Sequence, residues 1–247
     1  MHVSRHHFTL IDSTNNWGKQ NLHLFSPSAL TLVTAEAQSA GRGRFKRRWE
    51  SPAGQNIYAS FCFVVDSQRR DIGNIPQVLA LSAAKVLENS GFSPQLKWPN
   101  DVLLAGKKVA GLLAETTSLD AGLGVVIGIG LNVNMPLELL EQIDRPATSL
   151  CVESGHPFDV EEILSALQRQ FLGDLELFLV AGFTPFLEEY RCRLPMDGQL
   201  IRFHDNQRIW EGVLVAINDD GSLNLRLADG VIKRFIAGEI LWPSDCI

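Results

Sequence analysis

Residues 41 to 49 read GRGRFKRRW and set five cations, Arg42, Arg44, Lys46, Arg47 and Arg48, within seven positions of a chain whose formal net charge is -6. Each arginine offers a planar fork of N–H donors that matches carboxylate or phosphate oxygens. Gly41 and Gly43 lack a Cβ, so backbone N–H groups beside them can approach a ligand closely. The chemistry on offer is the gripping of an anion. Without that anion the like charges repel and little apolar surface holds the segment down, so a loop that is mobile when empty and ordered by its ligand is expected. Taken alone, the run also suits a solvated basic loop or a nucleic-acid patch.

Other residues extend the possibilities. Trp49 closes the basic segment, and an aromatic face beside guanidinium groups is a platform for a planar base, although a single tryptophan serves equally as core. KWPND, residues 97 to 101, joins a proline to a lysine, an amide and the carboxylate of Asp101. Lys107 and Lys108 stand just before Gly111, where one lysine can lean over a ligand while the other faces water. In GIGLNVN, residues 128 to 134, the side-chain amide of Asn132 has the donor and acceptor needed to read an adenine edge. Close strand packing accounts for the glycines of that segment as well as a ligand does. Ser13, Thr14 and Asn15 follow a strand and read first as helix caps, and Gln38 ends the strand that feeds the basic segment. No P-loop, GxGxxG or GxSxG pattern is present, so the common phosphate and nucleophile motifs are excluded.

The elements that must carry these residues follow from pattern. Residues 6–11 and 30–36 read as strands, and a brief helix after Asp12 is expected between them. IYASFCFVV is a strong strand, and residues 75–90 have helical spacing with Asn74 as cap and Gly91 beyond the end. Ala105-Gly106 between apolar runs predicts a β-hairpin, and LGVVIGIGLNVN a further strand. Asp159 and Glu162 have capping-box spacing ahead of a long amphipathic helix, and Thr184-Pro185 starts another. From about Gln199 only short alternating strands remain, which predicts a small β-barrel beyond a boundary near Leu194–Gly198. The expected class is α+β: a mixed or antiparallel sheet packed with helices over 1–195, and a small SH3-like β-barrel over 196–247.

A content of 45% hydrophobic residues supports one or two globular domains, and no apolar run approaches the ~18–20 residues that span a bilayer. The N-terminus lacks a signal-peptide core, which points to the cytoplasm. Cys62, Cys151, Cys192 and Cys246 are scattered and read as free thiols, and no histidine spacing suits a metal, so none is expected. A sequence pI near 5.5 argues against broad coating of nucleic acid.

In order along the chain, STN, AEAQSAGRGRFKRRWESPAGQNIYAS, LKWPNDVLLAGKKVAGLLAE and GIGLNVN resemble the biotin protein ligases, which attach biotin to a lysine of carboxylase carrier domains. The resemblance covers residues 8–134 closely, and the tail from about 197 is similar to that family's C-terminal domain. It implies a class II synthetase-like fold and a two-step reaction: biotin and MgATP give biotinyl-5′-AMP and pyrophosphate, and the acceptor lysine then attacks the mixed anhydride. It assigns the biotin contacts to Ser13, Thr14, Asn15, Gln38, Arg42, Gly43, Arg44, Lys108 and Gly111. The nucleotide contacts fall to Arg44, Arg47, Trp49, Lys108 and Asn132. Lys108, Arg44 and Arg42 would bring two anions together, with Asp101 as the candidate base for the acceptor lysine. The implied partner is the biotin carboxyl carrier domain of acetyl-CoA carboxylase or a related enzyme. Because STN begins at residue 13, no helix-turn-helix and no DNA binding are expected; the lack of a long apolar run argues against a membrane partner, and a homodimer is left open. The rivals are a lipoate ligase of the same fold and an RNA-binding module built on the basic run.

Overall fold

A computed structural model describes residues 2–196 and 198–241, with only the backbone of Lys46 included. The first half of the chain builds a seven-stranded sheet in the order β1-β2-β3-β7-β6-β5-β4. Its strands are β1 His2–Ile11, β2 Ala29–Gln38, β3 Ile57–Val65, β4 Gln95–Lys97, β5 Asp101–Leu104, β6 Lys107–Leu119 and β7 Gly122–Leu131. β1 runs parallel to β2 and every other neighbour is antiparallel. The helix between β1 and β2, α1 Thr14–Asn21, makes that single parallel connection. The β5–β6 hairpin turns through Ala105 and Gly106, both with positive φ, the backbone of a tight primed turn.

Strand alternation assigns the two faces of this sheet. Phe61, Phe63, Ile127 and Ile129 face the main core. There they meet α2 Ile75–Asn89 and α5 Val160–Ala181, with Phe61 4.7 Å from the ring of Phe171. Asp159 caps α5 by accepting from the backbone N–H groups of Glu161 and Glu162. Cys62 and Val126, on the opposite face, pack with Leu22 and Trp17 beneath α1. Gly18 allows that close approach, since a Cβ there would lie 2.7 Å from Cys62 Sγ. Asn74 occupies the expected cap position of α2 but makes no capping bond; its amide donates to Gln77 and to the Asp220 carbonyl. The polar side chain is drawn away by a carbonyl of the C-terminal sheet.

The shorter helices are α3 Leu137–Leu140, α4 Leu150–Ser154 and α6 Leu187–Cys192. Beyond them lie β8 Leu200–His204, β9 Ile209–Ile217, β10 Leu223–Arg226, β11 Ile232–Phe235 and β12 Glu239–Ile240. They form a five-stranded antiparallel sheet in the order β11-β10-β9-β8-β12, open among the described residues. β12 lay beyond the strands anticipated from sequence, being only two residues long. The core is continuous between the two sheets: Phe203, Leu214 and Phe235 belong to the same cluster as Trp98, whose ring is 5.6 Å from that of Phe203. Cys62, Cys151 and Cys192 are free thiols, and Cys246 and Asp197 lie outside the described residues.

Candidate active site

The site lies on the α1 face of the large sheet. The strand period puts Ser60 of β3, Gly111, Leu113 and Glu115 of β6, and Gly128 and Gly130 of β7 on that face. Gly111 pairs directly with Gly130, and Leu113 with Gly128. The paired glycines leave a strip without side chains, and Trp49 covers it: a Cβ at Gly130 would come within 2.3 Å of the indole, and one at Gly111 within 3.0 Å. The Trp49 Nε1 is buried without a hydrogen-bond partner. Gly128 admits Asn15 instead, since a Cβ there would fall 2.1 Å from Asn15 Oδ1.

The start of α1 is held against this strip. Ser13 is its N-cap and accepts from the Asn16 backbone N–H. Gln38 Oε1 accepts from the Thr14 backbone N–H at 2.9 Å. The fully buried Ser60 hydroxyl lies 2.6 Å from Asn15 Oδ1 and 2.8 Å from Thr14 Oγ1. Asn15 Nδ2 donates to the Leu113 carbonyl and to Glu115. Ser13, Thr14 and Asn15 are therefore caps and cavity residues at once.

The cations come from three segments, and each meets a resident acceptor. Arg42 pairs with Glu115 at 2.5 Å, and Lys19 reaches the same carboxylate at 3.3 Å. Arg44 donates to Asn100 Oδ1 at 3.3 Å and to the Gly238 carbonyl at 2.9 Å. Arg47 forms a fork with Glu239 at 2.5 and 2.6 Å. Lys108 lies 2.5 Å from Asp101 Oδ1 and 5.4 Å from the centre of the Trp49 ring, while Lys107 is exposed. The repulsion expected of the empty basic loop is offset by these carboxylates and carbonyls. Phe45 adopts a left-handed backbone, φ 56°, with the Arg44 and Arg47 guanidinium groups 5.0 and 5.3 Å from its ring.

Burial works against ionisation of Asp101, but the charges of Lys108, Lys97 and Arg44 win and hold its carboxyl below the ordinary value. Burial likewise opposes the ionised form of Glu115, where Asn15, Arg42 and Lys19 prevail, and of Glu239, where Arg47, Arg145 and Lys97 prevail. Burial lowers the pKa of Arg44, against the pull of Glu239 and Asp101. The site is thus an ionised cluster in which cations outnumber carboxylates.

The residues that the resemblance assigns to binding or catalysis, Ser13, Thr14, Asn15, Gln38, Arg42, Gly43, Arg44, Arg47, Trp49, Asp101, Lys108, Gly111 and Asn132, line one cavity of about 440 Å³, whereas Gly41 and Lys107 do not; the size suits a small organic ligand. Asn132 is buried and its Nδ2 donates to the Thr148 carbonyl. Glu115, Asn100, Glu239 and Arg145 also belong to the cavity surround, the first through Arg42 and Asn15 and the others on its wall. Asn100 is the amide of the KWPND segment, whereas Glu115, Glu239 and Arg145 were not picked out from sequence, because none sits in a run of unusual composition. Glu115 could have been found as the polar residue on the cavity-facing parity of β6. Among the described residues no cluster of three or more His, Cys, Asp or Glu could hold a metal ion.

A mixed sheet with helices, a cation-lined cavity over its glycine strip and a small antiparallel C-terminal sheet define the class of biotin/lipoate ligase folds. Residues 7–132 match the Biotin/lipoate A/B protein ligase family and residues 198–241 the Biotin protein ligase C terminal domain. The chain belongs to this family. It is 33% identical to the biotin–[acetyl-CoA-carboxylase] ligase of Paracoccus denitrificans, over 87% of this chain and 91% of that protein. It is 31% identical to the bifunctional ligase/repressor BirA of Bacillus subtilis over 84% of this chain, which spans 65% of that relative's length. The fold matches the biotin protein ligase of Aquifex aeolicus in complex with biotin and ATP with a TM-score of 0.80 at 28% identity, covering 96% of this chain and 97% of that one.

Proposed function

We propose that the chain is a biotin protein ligase, using biotin and MgATP to form biotinyl-5′-AMP and passing the biotinyl group to a lysine of a biotin carboxyl carrier domain. The observation that carries this reading is the convergence of Arg42, Arg44 and Lys108 on one cavity with Thr14, Asn15 and Gln38. A carboxylate oxygen must attack the α-phosphorus while the bond to pyrophosphate breaks. Both partners are anions, so cations are needed before a base is. Lys108, 2.5 Å from Asp101, is the group between them, and Arg42 and Arg44 flank it on the basic loop. Ser13, Thr14 and Gln38 supply hydrogen bonds for the neutral ureido ring, and Asn15 stands beside them. Trp49 and Asn132 serve the adenine, and Arg47 the phosphates.

In the second step the acceptor amine attacks the carbonyl carbon, AMP leaves and the amine loses a proton. Asp101 is the candidate acceptor of that proton. Its depressed pKa makes it a weak base, so holding Lys108 is its larger contribution. Catalysis belongs to residues 1–195 in this reading and 196–247 form the C-terminal unit. The protein works in the cytoplasm, without DNA, as a monomer or homodimer. No helix among the described residues is long and apolar enough to cross a membrane.

Mass spectrometry of the protein mixed with MgATP and, separately, biotin, lipoate or octanoate tests the reading. Bound biotinyl-adenylate, and biotin transfer to an added carrier domain, are expected. Adenylate only with lipoate or octanoate would overturn the choice of acid.

A further inference from the structure

The basic loop is held from outside the large sheet. Arg47 meets Glu239 through two N–H···O bonds, and Arg44 donates to the carbonyl of the preceding residue, Gly238. Gly238 stands immediately before the short strand β12, where Glu239 pairs with His204 and Ile240 with Phe203 of β8. This strand is placed tightly. Gly238 has φ 136°, and a Cβ there would fall 2.4 Å from Phe203 Cζ and 2.5 Å from the His204 carbonyl oxygen. Only a glycine lets the backbone pass so close and present its carbonyl outward. The Glu239 side chain is 14% exposed against 37% for Arg47, and Arg145 and Lys97 add positive charge around it.

We propose that Glu239, with the Gly238 carbonyl, latches the basic loop to the C-terminal sheet, which makes Glu239 a positioning residue for loop closure. Bidentate arginine–carboxylate pairs fix orientation as well as distance. The latch therefore holds the Arg44 and Arg47 side chains over the cavity mouth, and the C-terminal sheet takes part in retaining whatever the loop covers. The catalytic consequence rests on the ligase reading, while the latch itself does not.

Limited trypsin digestion of the ligand-free protein tests the latch without reference to activity, because the loop carries five potential cleavage points. Glu239→Ala should speed cleavage within residues 44–48 by about tenfold, with cuts elsewhere at the parent's rate, since cleavage follows the population of the open segment. Added biotin and MgATP should slow it again. Equal loop cleavage in parent and variant would overturn the latch. If Glu239→Ala is cut throughout the chain, the near-isosteric Glu239→Gln decides by the same criterion. General cleavage in both variants would also count against it, as Glu239 would then support the fold and not the loop. In a parent that makes biotinyl-adenylate, Glu239→Gln should lose it to hydrolysis about tenfold faster when no carrier is present, as expected for a cover that opens. A parent that makes no adenylate defeats the ligase reading and leaves the digestion result standing.

Discussion

Lys108 and Asp101 form a pair 2.5 Å apart, and Lys97, 4% exposed, is 3.9 Å from the same carboxylate. Replacing Asp101 by Asn keeps the shape and removes the charge shared by two lysines. Loss of one partner from such a buried pair costs about 3 kcal/mol, so urea denaturation should show a drop of that order. Transfer of biotin from preformed adenylate to the carrier should slow by at least about tenfold. A transfer rate equal to the parent's would remove Asp101 from the second step. Burial opposes ionisation of Asp101, Glu115 and Glu239, yet neighbouring cations hold all three below their ordinary values of 3.8, 4.5 and 4.5. A depressed carboxyl contributes stability that is complete above the unfolded pKa and is lost as pH falls through the folded one. The melting temperature should therefore hold from neutrality to about pH 4.5 and fall below it. Arg42→Ala, by leaving Glu115 with fewer cations, should raise its folded pKa toward the unfolded value and so shrink the acid-dependent loss of melting temperature; a loss as large as the parent's would contradict the pairing.

At the scale of elements, the glycine strip of β6 and β7 decides where the indole lies. Gly130→Ala places a methyl 2.3 Å from the Trp49 ring, and Trp49 must leave its bed. Overpacking of this kind costs about 1–3 kcal/mol, and Trp49 fluorescence should shift as the ring gains water. A spectrum identical to the parent's would mean that the ring sits elsewhere. Much of this level was legible in the sequence. The apolar strands β3 and β7, the Ala105-Gly106 hairpin, and the Asp159 cap ahead of α5 follow from local chemistry, and each formed where its pattern pointed. The GRGR, KWPND and STN segments were legible as a site because residue types of one purpose cluster there. Glu115, Glu239 and Ser60 were not, for each acts through a partner 45 or more residues away: Glu115 through Arg42, Glu239 through Arg47, Ser60 through Asn15. Sheet register brings such pairs together, and spacing along the chain holds no trace of it. The same blindness made the basic loop look self-repelling, because its counter-charges lie on β6 and β12.

Across the whole molecule, the C-terminal sheet touches the candidate site and its supports at two places among the described residues. One is the Gly238–Glu239 edge over the basic loop. The other is the turn at Gly221, whose carbonyl accepts from Trp98 Nε1 at 2.9 Å and Gln77 Nε2 at 3.0 Å. Trp98 lies in the same KWPND segment as Asn100 and Asp101, so this turn is part of what holds the site wall. Gly221 has φ 74°, and a Cβ there would fall 1.9 Å from Asn74 Nδ2. Gly221→Ala should lower stability by about 1–3 kcal/mol through strain and crowding, read by urea denaturation, and should raise KM for ATP more than it lowers kcat. Equal KM values would separate the turn from the site. In the proposed reaction, cations draw two anions into bonding distance. Biotin-dependent exchange of pyrophosphate into ATP reads that step alone. A Lys108→Ala variant with the parent's circular dichroism spectrum should exchange about 10²–10³-fold more slowly, whereas exchange at the parent's rate would contradict the central claim.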